Sequence, residues 1–156
     1  MKSTFKLLLI CLLFAAPSIQ AQELKWYTNM EEASTIAVKK KKPLMLFFTG
    51  SDWCGWCIKL QKEVFQTPEF KSWAAKNVIL VELDFPRRKT LDENIKTQNM
   101  NLQKLFNVRG YPTVWIVDVD KKNTANLERL GSTGYVAGGP AAWITGAEQI
   151  IANKKK

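Results

Sequence analysis

An unbroken apolar run, Pro43-Leu44-Met45-Leu46-Phe47-Phe48-Thr49, leads straight into Gly50-Ser51-Asp52-Trp53-Cys54-Gly55-Trp56-Cys57, and then into a stretch with Leu60, Val64 and Phe65 on one helical side. A continuous apolar run of this length is what a central strand covered on both faces needs. The two cysteines therefore fall where a buried strand turns into a helix. Backbone N–H groups at a helix start lower the pKa of the first thiol, and only the thiolate attacks a disulfide. The second cysteine is one helical turn on, close enough to close a ring or to resolve a mixed disulfide.

Two blander readings compete. Zinc needs about four Cys or His ligands. The chain has no histidine and one further cysteine, Cys11, so a single chain cannot complete such a site; a zinc shared between two chains stays open. A purely structural bridge is disfavoured, because so small a ring constrains the unfolded chain very little. Redox chemistry is what C-x-x-C beside a β-α pattern favours.

At these residues the chain resembles the thioredoxin family. Trp53-Cys54-Gly55-Trp56-Cys57 matches the W-C-G-x-C core, with Trp56 where thioredoxin itself has proline. Val108-Arg109-Gly110-Tyr111-Pro112-Thr113 resembles the second signature, a segment ending in a cis-proline beside the active site. The fuller string from Gly50 to Phe65 is similar to extracytoplasmic thioredoxin-like disulfide reductases and isomerases, and the resemblance covers roughly Leu24 to Asn153. It implies a redox-active disulfide between Cys54 as nucleophile and Cys57 as resolving thiol, with no metal or organic cofactor. It places Trp53 against the active-site surface and Pro112 where the preceding backbone, at Tyr111, is free to bond a substrate like an added strand. Trp56, between the cysteines, is expected to face solvent and contact an unfolded substrate. One departure stands out: the buried acid that thioredoxin carries six residues before the first cysteine is here Phe48. Proton transfer would then fall to water or another carboxylate. Asp52 and Glu63 are nearest in sequence, and the bland reading of both is a solvated surface charge.

Composition sets the outer limits. With 156 residues, 46% hydrophobic and 24% charged, the chain has the size and make-up of one soluble domain with a real core. The formal charge of +9 raises nucleic acid as a partner. Yet the lysines are scattered over helical patterns and no nucleic-acid motif is visible, so that partner is not expected. Lys2 and Lys6, the apolar run Leu7 to Phe14, and the small residues up to Ala21 read as a secretory signal over 1–21, cleaved after Ala21 and too short to span a bilayer. Residues 22–156 are then the thioredoxin-like domain, periplasmic or secreted, with only Cys54 and Cys57 left. Without a second pair to act as an internal relay, electrons must come from another molecule, for which a membrane electron donor is expected. Disulfide-containing or unfolded exported proteins are the expected substrates.

The remaining pattern predicts a weak edge strand within 23–27, and a helix from a cap at Thr28 or Asn29 to about Lys41. A helix capped by Thr67 with Pro68 at its first position follows, then a strand over 78–85. Pro86-Arg87-Arg88-Lys89 is a basic loop, either a docking site or solvated surface. The next helix is expected over 91–106, with Ile95, Leu102, Leu105 and Phe106 as core and a break in the polar stretch 96–101. A strand over 113–119, a turn at 120–123, a strand over 127–130, a glycine-rich loop over 131–139 and a helix opened by Pro140 complete the chain. A β-α-β half followed by a β-β-α half predicts an α/β fold with a mixed central sheet and helices on both faces, the thioredoxin fold. The expected activity is protein thiol–disulfide exchange, as reductase or isomerase; the alternatives are a dithiol oxidase and a chaperone-like binding module.

Overall fold

A computed structural model describes residues 24–154; the segment read as a signal, with Cys11, lies outside the described residues. Five strands form one sheet in the order β1-β3-β2-β4-β5. They are β1 (Trp26–Tyr27), β2 (Leu44–Thr49), β3 (Ile79–Asp84), β4 (Thr113–Val119) and β5 (Leu127–Thr133). β1, β3 and β2 run parallel, while β4 is antiparallel to both β2 and β5. Every residue of β2 is buried, as its unbroken apolar run requires of the middle strand.

The helices divide between the faces. α1 (Met30–Lys40) and α4 (Glu93–Leu105) cover one side, where Ala33, Ala37 and Phe106 pack on Leu44, Leu46, Phe48, Val81 and Leu83. α2 (Gly55–Leu60), α3 (Pro68–Asn77) and α5 (Gly139–Ile151) cover the other, packing Leu60, Phe70 and Trp143 on Met45, Phe47, Leu80 and Ile116. Both cysteines belong to this second layer, which is strongly aromatic: Phe65 touches Phe47, Phe70, Trp26 and Trp143 at centroid distances of 4.6 to 5.5 Å. α2 continues without a break into a π-helical turn, Gln61–Phe65, which buries the consecutive side chains of Val64 and Phe65. The mixed five-stranded sheet with helices on both faces is the expected thioredoxin-like architecture.

The caps follow from sequence. Asn29, not Thr28, opens α1 by accepting from Glu32 N, and Thr67 accepts from Phe70 N ahead of Pro68. Three expectations need correcting. α4 does not break over 96–101, because its polar residues have partners across the fold. Asn99, buried, donates to the Asp84 carbonyl, while Gln98 accepts from Met30 N and donates to the Thr28 carbonyl. Leu105 is not core but exposed; Phe106 is buried, with Ile95 and Leu102 half-buried. β5 extends to Thr133 instead of giving way to loop at Gly131, since Gly131, Ser132 and Thr133 pair with Ile116, Trp115 and Val114.

Candidate active site

The site is built where β2 meets α2. The Gly50 carbonyl accepts from the backbone N–H of both Trp53 and Cys54, curling the chain so that Cys54 caps α2 in extended conformation. Cys54 and Cys57 form a disulfide with Cα atoms 5.2 Å apart, and Cys54 Sγ accepts from Cys57 N at 3.2 Å. Cys54 is 6% exposed and Cys57 0%, so an incoming group meets Cys54 first. Of the other residues singled out from sequence, Trp53 and Tyr111 pack against the core cluster that holds both cysteines, and Trp56 lies between the two in the chain. Trp53 lies edge-on to Tyr111 at 5.7 Å, the Tyr111–Pro112 peptide is cis, and Trp56 projects into solvent.

The loops on either side of Trp53 hold each other in both directions. Asp84, at the end of β3, accepts from Ser51 N at 2.8 Å and Ser51 Oγ at 2.5 Å. Asp52 returns the arrangement, accepting from Arg87 N at 3.0 Å and Arg88 N at 2.7 Å. Those N–H groups hold the Asp52 carboxyl below its ordinary pKa. Trp53 Nε1 donates to the Phe85 carbonyl at 2.7 Å, and the Arg87 guanidinium lies over the Trp53 ring at 3.9 Å. The basic loop is thereby seated against the residue before Cys54. Tyr111 closes the other flank: its ring meets Phe85 at 5.3 Å, its hydroxyl accepts from Gln103 Nε2, and burial raises its phenol pKa.

The carboxylates nearest in sequence are committed elsewhere. Asp52 serves the basic loop, and Glu63 accepts from the Tyr135 hydroxyl at 2.6 Å with Lys59 at 3.9 Å. Phe48 points into the opposite layer with Phe106 and Phe85. Two acids of β3, Glu82 and Asp84, share the cysteines' face of the sheet, alternating with Leu80. Burial, with Asp84 nearby, pushes the Glu82 carboxyl above its ordinary pKa. Thr49, on the same face of β2, is wholly buried and its hydroxyl has no partner among the described residues. The sequence reading passed over all three. Period-two alternation along Leu80, Glu82 and Asp84 was the available signal; nothing local marks Thr49. Among the described residues no group of three or more His, Cys, Asp or Glu could hold a metal ion, and no helix is long and apolar enough to cross a membrane.

A disulfide-bonded cysteine pair at a strand-to-helix junction of a mixed sheet, in a chain whose Tyr111–Pro112 peptide is cis, is the arrangement of a thiol–disulfide oxidoreductase. Residues 30–136 match the thioredoxin-like domain family, and the chain belongs to it. It is 36% identical over 133 residues to the disulfide bond reductase DsbH of Chlamydia pneumoniae, covering 85% of this chain and 76% of that protein. It is 29% identical over 124 residues to the thioredoxin-related protein DsbJ of the same organism, covering 80% of this chain but 35% of that one. A solved DsbH oxidoreductase superposes with a TM-score of 0.78 at 32% identity, covering 91% of this chain and 94% of the other. The protein is therefore a thioredoxin-like disulfide oxidoreductase homologous to DsbH and DsbJ.

Proposed function

We propose that the protein is an extracytoplasmic protein-disulfide reductase in which Cys54 is the nucleophile and Cys57 the resolving thiol. The observation that carries this reading is the unequal access of the two sulfurs: Cys54, which caps the helix, keeps a sliver of exposure at 6%, whereas Cys57, within the first turn, is fully enclosed. Similarity to a protein named a disulfide bond reductase supports reduction over isomerisation or oxidation.

In the reduced protein, the first-turn N–H groups favour the Cys54 thiolate. It attacks one sulfur of a substrate disulfide; that S–S bond breaks and the displaced thiolate takes a proton from water. Cys57 then loses its proton and attacks Cys54, releasing the second substrate thiolate. The substrate gains two electrons, and the enzyme dithiol becomes the disulfide. A further dithiol protein must return two electrons, and a membrane-held donor outside the cytoplasm fits the signal-like start of the chain. Trp53, Trp56, Tyr111 and Pro112 form the surface on which the substrate chain would lie.

Equilibration with glutathione tests the direction of electron flow. A reductase is expected near about −270 mV, whereas a value near about −120 mV would make the protein an oxidant. Insulin reduction should vanish in Cys54→Ala, and Cys57→Ser should trap mixed disulfides. The exposed indole of Trp56, resting on Tyr135, favours a second reading, a binding module for unfolded chains. That reading predicts full protection against aggregation when both cysteines are serine.

A further inference from the structure

The basic loop after β3 carries Arg87, Arg88 and Lys89, and none of the three forms an ion pair among the described residues. Arg87 differs from an ordinary solvated arginine. Its backbone is tied to Asp52 and its guanidinium lies over Trp53, an indole itself pinned by its bond to the Phe85 carbonyl. The cation is thus held in place one residue from Cys54 before anything binds, and much of the ordering cost is already met. Its side-chain N–H groups have no acceptor among the described residues. Neither Asp52 nor Asp84 forms an ion pair with it among the described residues. Both Asp52 oxygens accept from the loop's backbone, and both Asp84 oxygens accept from Ser51. Arg109, three residues before Pro112, is a further exposed cation on the neighbouring loop, its Nε donating to Asn107.

A planar guanidinium with free donors takes carboxylates in two-pronged fashion. We infer that Arg87, seated on Trp53, docks a carboxylate of the substrate polypeptide, so that the protein prefers disulfides flanked by acidic residues. This rests on the reductase reading and adds a substrate class to it. Arg87 acts here as a specificity-determining residue, and the sulfur chemistry remains that of Cys54 and Cys57.

The test uses disulfide-linked peptides that differ only two and three residues from the cysteine, with Glu-Glu, Ser-Ser or Lys-Lys there. Single-turnover rate constants are measured with the pre-reduced protein at low salt. The Glu-Glu peptide is expected to react about tenfold faster than Lys-Lys, with the ratio shrinking as salt rises. The ratio should fall below about twofold in Arg87→Ala and lie between in Arg87→Lys, which keeps the charge and loses the fork. Lys121→Ala removes the same charge from the turn after β4 and should keep the ratio, separating a local contact from the pull of a +9 chain. Equal rates for the three peptides, or a preference that survives Arg87→Ala, would overturn the inference. If no peptide of any charge is reduced, the reductase reading fails instead. Binding of serine-for-cysteine peptides to the oxidised protein, followed by tryptophan fluorescence, then decides the docking. Tighter binding of the acidic peptide that is lost in Arg87→Ala supports it, and equal binding of acidic and basic peptides refutes it.

Discussion

Trp53 and Trp56 flank the same cysteine and are built into the protein in opposite ways. Trp53 is bonded through its indole N–H to the β3–α4 loop, lies against the backbone of Gly50, and carries Tyr111 on its edge and Arg87 over its ring. Trp56 is 57% exposed and rests on side chains alone: Tyr135 at 5.1 Å, with Lys59 4.9 Å from both rings and Glu63 holding the Tyr135 hydroxyl. One indole is a structural pin between loops far apart in sequence, and the other is a propped surface. Nearness to the reactive sulfur does not separate these roles; what each ring is anchored to does.

Removing the pin should have the largest effect. Trp53→Ala is expected to cost about 3 kcal/mol of stability through lost packing and an unpaired Phe85 carbonyl, read as a lower urea midpoint. Trp53→Phe should recover most of the packing and leave a deficit of about 1 kcal/mol for the missing bond. The clamp beside the pin gives an intermediate effect, visible in its pH dependence. The native Asp52 pKa is depressed, so its contribution is present above its ordinary value near 3.8 and is lost as pH falls through the native value. Asp52→Asn should therefore lower stability at neutral pH and flatten the acid limb of a stability–pH curve below about pH 4. The smallest stability change belongs to the propped surface. Trp56→Ala should stay within about 0.5 kcal/mol of the parent on urea unfolding while slowing insulin reduction severalfold. A Trp56→Ala loss as large as that of Trp53→Ala would erase the distinction between the two rings.

Much of this was legible in the chain. The unbroken apolar run from Leu44 to Phe48, the capping pattern at Thr67-Pro68 and the order of elements led to the sheet and its two helical layers, because burial on both faces and cap chemistry are local signals. The cysteine pair stood out by its spacing at a strand-to-helix junction, and the Tyr111-Pro112 segment only through the family resemblance. What stayed hidden was set by distant partners. Gln98 and Asn99 looked like a break in α4, and only contacts with Thr28, Met30 and Asp84 make them part of a continuous helix. Asp52 read as a solvated charge until the basic loop was found folded against it. Leu105 has an apolar side chain at a plausible position, but the helix turns it outward, and spacing alone does not separate it from buried Phe106.

Gly50 carries one further consequence. A methyl group there would stand 2.4 Å from Trp53 Cε2, inside the indole. The ring can lie flat on the chain only because that carbon is missing, and Arg87 can lie on the ring only because the ring is there. A residue with no side chain, contributing neither charge nor bond to an incoming molecule, thereby governs the electrostatic character of the surface beside a sulfur four positions further on.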